Sequence, residues 1–317
     1  MIRRRPKDKG GVTINVEPAN ARVEGCRDMN PFGLAEPATL HEAVGMLDAS
    51  DTQIRPIAGG TAVMLMMKTG IFQPDRLISL RGIEPRYAEI GITQGGDLRI
   101  GAMTPLRHIE KSAAVAQVAP VITQALRRLS NVRVRNVATL GGHLAHGDPH
   151  LDLPPVLIAL GAKIVIVSPA GERAIDVEDL FRGYLETALN PDDLIAEVIV
   201  PARAGRRSAY LKHTTRSADD WPALGIAVAL ESDGSARVAI GAATDTPRRL
   251  NSVEAVLNGS SMDDTVLAAA GDAAAEEAEV HSDARGSAAY KRELIRVFMA
   301  RAIRLALAEG ADTGRAG

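Results

Sequence analysis

Two glycine pairs in this sequence stand in loops whose surroundings favour an anionic ligand. The first pair belongs to the segment Ala58-Gly59-Gly60-Thr61-Ala62, which joins a strand-like apolar run to a helix-like one. Glycine lets the backbone turn sharply and approach a ligand without a Cβ collision. The start of the following helix offers free N–H groups and the positive end of a dipole, which suit a pyrophosphate. Thr61 is a candidate cap for that helix, although an isolated Gly-Gly-Thr segment is more often a plain strand-to-helix turn.

The second pair lies about 80 residues further along the chain. Its segment is Thr139-Leu140-Gly141-Gly142-His143, followed by Leu144-Ala145-His146-Gly147-Asp148-Pro149. Two such loops could hold one extended ligand from two sides. Asp152, one turn into the next helix, could accept hydrogen bonds from sugar hydroxyls, or its charge could simply favour the helix N-terminus.

Other ligand classes fit less well. His143, His146 and His150 compete as a metal site with Asp148 and Asp152, but the histidines lie among glycines and a proline rather than on one helix. We therefore expect hydrogen bonding and no metal. The sequence contains no G-x-G-x-x-G, no G-x-x-x-x-G-K-[ST] and no G-x-S-x-G elbow, which disfavours a Rossmann site, a P-loop and a serine hydrolase.

Composition limits the chemistry further. The net charge is −2, and the basic run at Arg127, Arg128, Arg133 and Arg135 lacks aromatic partners, so we expect no nucleic acid. Cys26 is the only cysteine, which excludes an intrachain disulfide and favours a reducing, cytoplasmic location. An iron–sulfur cluster needs about four thiolates, so an electron-transferring chain of this kind needs an organic cofactor. No apolar run reaches the roughly 20 residues of a membrane span, and we expect no transmembrane segment.

The hydrophobic pattern predicts the elements that hold these loops. A capping box at Thr39 and Glu42 predicts a helix from Leu40. Short apolar or β-branched runs predict strands at 54–57, 76–79, 98–100, 163–167, 195–200, 209–213, 224–230 and 236–240. Helical spacing predicts helices at 62–67, 105–111, 120–129, 151–160, 252–257, 263–279 and 287–308. The last three strands precede three helices and follow a linker at 201–207, which indicates a separate C-terminal α+β domain.

Both glycine loops resemble the FAD loops of the xanthine dehydrogenase family. Ala58-Gly59-Gly60-Thr61 with the helix ending in Met67-Lys68 resembles the first loop, and Thr139-Leu140-Gly141-Gly142 with Asp148-Pro149 and Asp152-Leu153-Pro154 resembles the second. The likeness is closest to the separate medium subunit of aerobic carbon monoxide dehydrogenase-type enzymes. It extends from about Asn30 to Leu305 and includes Gly241-Ala242-Ala243 with Pro247-Arg248-Arg249.

This resemblance implies an α+β fold. Two α/β subdomains of the PCMH type, at 29–80 and 81–203, would hold FAD, and a C-terminal domain at 204–311 would combine a three-stranded antiparallel sheet with helices. Residues 1–28 show no stable period and contain Pro6 and Pro18, which predicts a disordered extension outside the likeness, and residues 312–317 are predicted to be a tail. The resemblance implies FAD contacts from thirteen residues, namely Ala58, Gly59, Gly60, Thr61, Ala62, Thr139, Gly141, Gly142, His143, Asp148, Asp152, Lys212 and Trp221.

Within that set, the resemblance implies distinct roles. Backbone amides of Gly59, Gly60, Thr61, Gly141 and Gly142 would bind the FAD phosphates. Asp152 would hold ribityl or ribose hydroxyls, whereas Lys212, Asp220 and Trp221 would lie near the isoalloxazine. The sequence departs from the family's usual pattern at His143, where Asn is usual, and at His150, where a small residue is usual.

The implied activity is that of an oxidoreductase subunit in which no residue acts as a catalytic acid or base. Electrons would pass from a large molybdopterin subunit through a small two-[2Fe-2S] subunit to this FAD, and then to a quinone, NAD or oxygen. The assembly would be a dimer of heterotrimers in the cytoplasm, meeting the inner membrane face only through partners. Two alternatives stay open at this point, a stand-alone FAD oxidoreductase and a non-catalytic nucleotide-binding module.

Overall fold

The computed structural model describes residues 30–217 and 219–309. The predicted extension at 1–28 and the predicted tail at 312–317 lie outside these described residues. The described chain forms three sheets and one two-stranded hairpin, with helices packed against the sheets.

The first sheet is small and parallel, and it carries the first glycine loop. Its strands are β1 (Gly33–Ala35), β2 (Ile54–Ile57) and β3 (Arg76–Ser79), in the order β1-β3-β2. Helix α1 (Leu40–Gly45) begins at Thr39, whose hydroxyl accepts the Glu42 N–H at 3.1 Å. Because β2 and β3 are parallel, their connection crosses over through helix α2 (Thr61–Lys68), and the loop Ala58–Gly60 lies at the carboxyl end of β2.

The second sheet has five antiparallel strands. They are β4 (Ile90–Ile92), β5 (Leu98–Gly101), β6 (Lys163–Ser168), β7 (Gly171–Asp176) and β10 (Leu194–Val200), in the order β4-β5-β10-β6-β7. Its helices are α3 (Leu106–Lys111), α4 (Ala113–Val118), α5 (Pro120–Arg127), α6 (Val132–Arg135), α7 (Leu140–Ala145) and α8 (Leu153–Ala159). A hairpin of β8 (Phe181–Gly183) and β9 (Glu186–Thr187) precedes β10.

The third sheet is antiparallel and has four strands. They are β11 (Arg207–His213), β12 (Leu224–Leu230), β13 (Ala236–Gly241) and β14 (Arg248–Arg249), followed by helices α9 (Asn251–Leu257), α10 (Asp264–Glu277) and α11 (Ala288–Ala308). Every residue of β12 is buried, because its alternate side chains enter two different cores. Each sheet and its packed helices form one unit, numbered as the sheets are. Ile226 and Val228 join the core beneath α10 and α11, whereas Ala227 and Ala229 face the core of the second unit, where α8 packs.

The predicted α+β class, with an antiparallel C-terminal sheet, is confirmed. The C-terminal sheet gains a fourth strand of only two residues beyond the three that were predicted. The predicted boundary at residue 203 falls between β10 and β11. None of the helices in the described ranges combines the length and the apolar character that crossing a bilayer requires.

Candidate functional site

The first glycine loop ends in a left-handed residue that begins α2. Gly60 has a φ of 75° and serves as the N-cap without a side-chain hydrogen bond, while Thr61 is the first helical residue. The prediction that Thr61 caps α2 is therefore wrong. A glycine fits this position because a Cβ makes the left-handed conformation unfavourable.

This loop presents unused backbone donors. Among the described residues, the N–H groups of Gly59, Gly60, Thr61, Ala62 and Val63 donate no hydrogen bond. The free N–H groups coincide with the positive end of the eight-residue α2. The local backbone is therefore suited to an anionic group.

The second glycine loop is held differently, since its donors already have partners. The Gly141 N–H donates to the Ala102 carbonyl at 2.8 Å, and the Leu140 N–H donates to the Thr104 carbonyl at 3.1 Å. The Thr139 hydroxyl caps α7 by accepting the Gly142 N–H at 3.3 Å. A Cβ on Gly141 would come within 2.7 Å of the Ala102 Cβ. Gly141 thus provides close packing rather than the free amide that was expected.

The two loops lie directly against each other. A Cβ on Gly59 would be 2.1 Å from the Val137 carbonyl oxygen, and a Cβ on Gly142 would be 3.9 Å from the Ala58 Cβ. The fold therefore brings together the glycine pairs that are far apart in sequence. One ligand can contact both loops.

His143 is buried in α7, and its Nε2 atom has no partner among the described residues. Burial, followed by the charge of His146, lowers the pKa of the imidazole to about 3, whereas Asp148 acts in the opposite direction. The ring is neutral at pH 7. A buried ring nitrogen without a partner is the kind of group that a bound ligand can satisfy.

Asp148 is committed to a contact with His150. Its Oδ1 atom accepts the His150 backbone N–H at 2.8 Å and lies 2.9 Å from His150 Nδ1. Burial alone would raise the pKa of the Asp148 carboxyl, but the hydrogen bonds from the side chain and backbone of His150 lower it. Within the described ranges, no three histidine, cysteine or acidic side chains converge as metal ligands.

Asp152 and Lys212 form a buried ion pair between the second and third units. Lys212 Nζ donates to Asp152 Oδ2 at 3.0 Å and to the Arg128 carbonyl at 2.9 Å, and the Tyr210 hydroxyl donates to Asp152 Oδ1 at 2.8 Å. Burial raises the pKa of the Asp152 carboxyl, and the charge of Lys212 and the two hydrogen bonds offset part of that rise. Burial likewise raises the pKa of the Tyr210 hydroxyl well above its ordinary value. The carboxylate is thus occupied in positioning the ammonium group.

Trp221 lies in the loop between β11 and β12 and is 45% exposed. Its ring is stacked on the His150 imidazole, with ring centroids 5.5 Å apart and an interplanar angle of 14°. The Trp221 N–H donates to Asp220 Oδ1 at 3.0 Å. The indole is therefore held against His150 without being buried in a core.

Comparison with known proteins identifies the molecule's family. The family model for the FAD binding domain in molybdopterin dehydrogenase matches residues 30–203, which is more than half of the chain. The chain belongs to this family. A second model, for the CO dehydrogenase flavoprotein C-terminal domain, matches residues 209–306 of this chain.

Individual relatives agree with this assignment. The flavoprotein is 34% identical to the nicotine 6-hydroxylase medium subunit of Paenarthrobacter nicotinovorans, over 85% of this chain and 95% of the relative. It is 32% identical to the carbon monoxide dehydrogenase medium chain of Hydrogenophaga pseudoflava, over 87% and 97% of the two chains. A solved carbon monoxide dehydrogenase structure from the same organism superposes with a TM-score of 0.83 at 33% identity, covering 87% of this chain and 97% of that one. The predicted family and the oxidoreductase class are confirmed.

The residues present fit the FAD that the family implies. The free N–H groups at the start of α2 match a diphosphate. The glycines at 59 and 142 let the two loops lie against each other, and the unpartnered His143 Nε2 lies in α7 directly after the second pair. These features belong to this chain's own geometry and support cofactor binding at the loops.

Some residues of the site were absent from the sequence-based set. Tyr210 had a usable signal, since it lies two residues from Lys212 on β11 and alternate strand residues share a face. Asp283 and Arg285, which contact His150, and Lys291, which contacts Asp283, had none, because they lie more than 130 residues beyond His150 in the chain.

The burial of His143 makes stability depend on pH. The unfolded chain protonates this imidazole near pH 6.5, whereas the folded chain does so only near pH 3. The unfolded state therefore binds more protons between these values, and stability falls as the pH falls. From pH 7 to pH 5 we expect a loss of about 2 kcal/mol from His143 alone.

Urea titrations of the FAD-free chain at pH 7 and pH 5 measure this difference. His143→Asn should remove the His143 share of the loss, and His108→Asn, at an exposed position on α3, should not. Equal pH dependence in wild type and His143→Asn would contradict the prediction.

Proposed function

We propose that the chain holds one FAD at its abutting glycine loops and relays electrons for a molybdenum hydroxylase. The observation that carries this proposal is the free backbone N–H groups of the first loop, set against Val137 and Gly142 of the second. Both loops contribute, but in different ways. The first donates hydrogen bonds, and the second supplies a close-packed wall.

The diphosphate is assigned to the first loop and the start of α2. The N–H groups of Gly59, Gly60, Thr61 and Ala62 are unused and lie at a positive helix end. Ala58 and Thr139 shape the contact, since Ala58 faces Gly142 and Thr139 caps α7. The Gly142 N–H has a long bond of 3.3 Å to Thr139, which a better acceptor can replace.

The isoalloxazine is assigned to the side of the site where the second and third units meet. Lys212 is a buried cation there, oriented by Asp152 and the Arg128 carbonyl. A fixed positive charge beside a flavin stabilises negative charge on the ring, and the protein's part is to place that charge. Asp152 acts through Lys212, and Trp221 closes the exposed edge.

FAD, when bound, supplies the redox chemistry. Since the chain has one cysteine, the iron–sulfur clusters must belong to a partner. We assign them to a small [2Fe-2S] subunit, the substrate hydroxylation to a large molybdopterin subunit, and the whole to a dimer of heterotrimers in the cytoplasm. The external acceptor would be a quinone, NAD or oxygen.

The absorption spectrum of the purified full-length chain tests the proposal. We expect flavin bands and about one noncovalent FAD per chain, because one diphosphate cradle lies among the described residues. The isolated chain should hydroxylate nothing. A colourless protein that takes up no FAD on reconstitution would refute FAD binding, whereas hydroxylase activity of the single chain would refute its role as one subunit of an assembly.

A further inference from the structure

Trp221 is held by side chains from both sides of the boundary between the second and third units. His150, between α7 and α8, stacks on its ring. Arg285, before α11, places its guanidinium carbon 5.4 Å from the ring centroid. Arg285 Nη1 also lies 3.4 Å from His150 Nε2, so the guanidinium and the imidazole lie beside each other against one indole.

His150 is itself fixed at both ring nitrogens. Nδ1 lies 2.9 Å from Asp148 Oδ1, and because a carboxylate only accepts, Nδ1 carries a proton. Nε2 lies 3.5 Å from Asp283 Oδ2 of the third unit. These contacts fix the plane of the imidazole, and with it the surface on which the indole rests.

The carboxylate of Asp283 is in turn held by a buried lysine. Lys291 in α11 is 1% exposed, and its Nζ lies 2.9 Å from Asp283 Oδ2. Asp283 Oδ1 accepts the Arg285 N–H at 2.8 Å, which shapes the turn that presents Arg285. The buried Lys291 therefore fixes Asp283, which in turn fixes Arg285 and contacts His150.

Within the described part of its own loop, Trp221 makes a hydrogen bond through its backbone and none through its indole. Its backbone bonds to the neighbouring Asp220, and nearly half of the side chain is exposed. Without the stack, the indole would lose one of the two side-chain contacts described above and would change rotamer more readily. Two stacked aromatic rings favour the packed arrangement by about two- to tenfold over alternatives.

We propose that His150 is a positioning residue that holds the Trp221 indole in place for the flavin, with Arg285 supporting the same ring. This inference rests on the proposed function, because it takes the isoalloxazine to lie beside Trp221. A locked ring covers the flavin edge reproducibly and keeps water away from it. His150 acts through Trp221 and does not touch the reacting atoms.

Fluorescence of the full-length chain tests this assignment, since Trp221 is the only tryptophan. We compare wild type, His150→Ala, His150→Phe and the control His108→Ala on the exposed side of α3. The readouts are emission anisotropy of the FAD-free chain, the fraction of emission quenched by saturating FAD, and the Kd for FAD. Circular dichroism checks that each variant folds.

His150→Ala should lower both the anisotropy and the quenched fraction, because the ratio of packed to unpacked indole falls about two- to tenfold when the stack is lost. Its Kd for FAD should stay within about threefold of wild type, because the first loop, which binds the diphosphate, is untouched. His150→Phe restores a flat ring and should recover the wild-type signals. His108→Ala should match wild type throughout.

Other outcomes separate the two proposals. Wild-type signals in His150→Ala, or equal losses in His150→Ala and His150→Phe, would overturn the role of the imidazole ring. FAD binding without quenching of Trp221 would overturn the placement of the indole beside the flavin, while leaving FAD binding intact. Failure of every variant to bind FAD would overturn the proposed function and the flavin-directed role of His150 with it.

Discussion

Gly59→Ala should remove most of the affinity for FAD. The added Cβ would lie 2.1 Å from the Val137 carbonyl oxygen, 2.8 Å from its carbon and 2.9 Å from the Ala138 Cα. These are backbone atoms, so no side-chain rotation relieves the clash, and the loops must separate. Overpacking of this kind costs about 1–3 kcal/mol. If the loops must separate by that cost before FAD can bind, the affinity for FAD falls about 5- to 150-fold. Equilibrium titration with FAD measures the loss.

Two companion variants separate loop geometry from general damage. Gly45→Ala, in α1, places a Cβ where no atom lies within 4 Å, and should bind FAD as wild type does. Gly142→Val should leave the FAD-free chain folded but also weaken FAD binding. Its Cβ meets the Thr139 hydroxyl at 3.1 Å and faces Ala58, where the loops meet. Unchanged FAD affinity in Gly59→Ala would show that contact between the loops is not needed for binding.

The elements that sequence predicted well are those with a strong local signal. The capping pair Thr39 and Glu42 begins α1 as expected, and the apolar run of β12 was predicted at its observed bounds, Leu224–Leu230. Strand β7 was missed because three of its six residues are charged and none of the six is buried, and its pairing with β6 is what makes it a strand. Strands β1 and β14 are too short to carry a period of their own.

In the site too, local features could be predicted from sequence, whereas contacts between distant segments could not. Paired glycines at strand-to-helix turns are visible in sequence, and the structure brings both pairs together. Sequence did not indicate that the Gly141 N–H would be used by Ala102, since that bond depends on where β5 ends. Nor could it show that His150 meets Trp221 and Asp283, because those contacts depend on how the third unit packs against α8. The place of Trp221 beside the flavin stays a prediction.

Lys212→Met should strongly destabilise the FAD-free chain. The side chain of Lys212 is 2% exposed and that of Asp152 is 6% exposed, so the substitution leaves a carboxylate buried without its countercharge. It also removes the donor to the Arg128 carbonyl. Breaking one side of a buried ion pair costs about 3–5 kcal/mol, which urea denaturation of wild type and variant measures as a difference in unfolding free energy.

The pair can be distinguished from an ordinary ion pair by two further variants. Lys163→Met breaks the Lys163–Asp176 bridge, in which both side chains are more than half exposed, and should cost less than about 1 kcal/mol. Adding Asp152→Asn to Lys212→Met removes the unpaired charge while leaving an oxygen for the Tyr210 hydroxyl, so most of the lost stability should return. FAD titration of the double variant then reports on cofactor affinity in a chain whose boundary between the second and third units is intact.

A loss in Lys212→Met no larger than that in Lys163→Met would mean that Asp152 takes up a proton or water at little cost, and that the ion pair does not hold the units together.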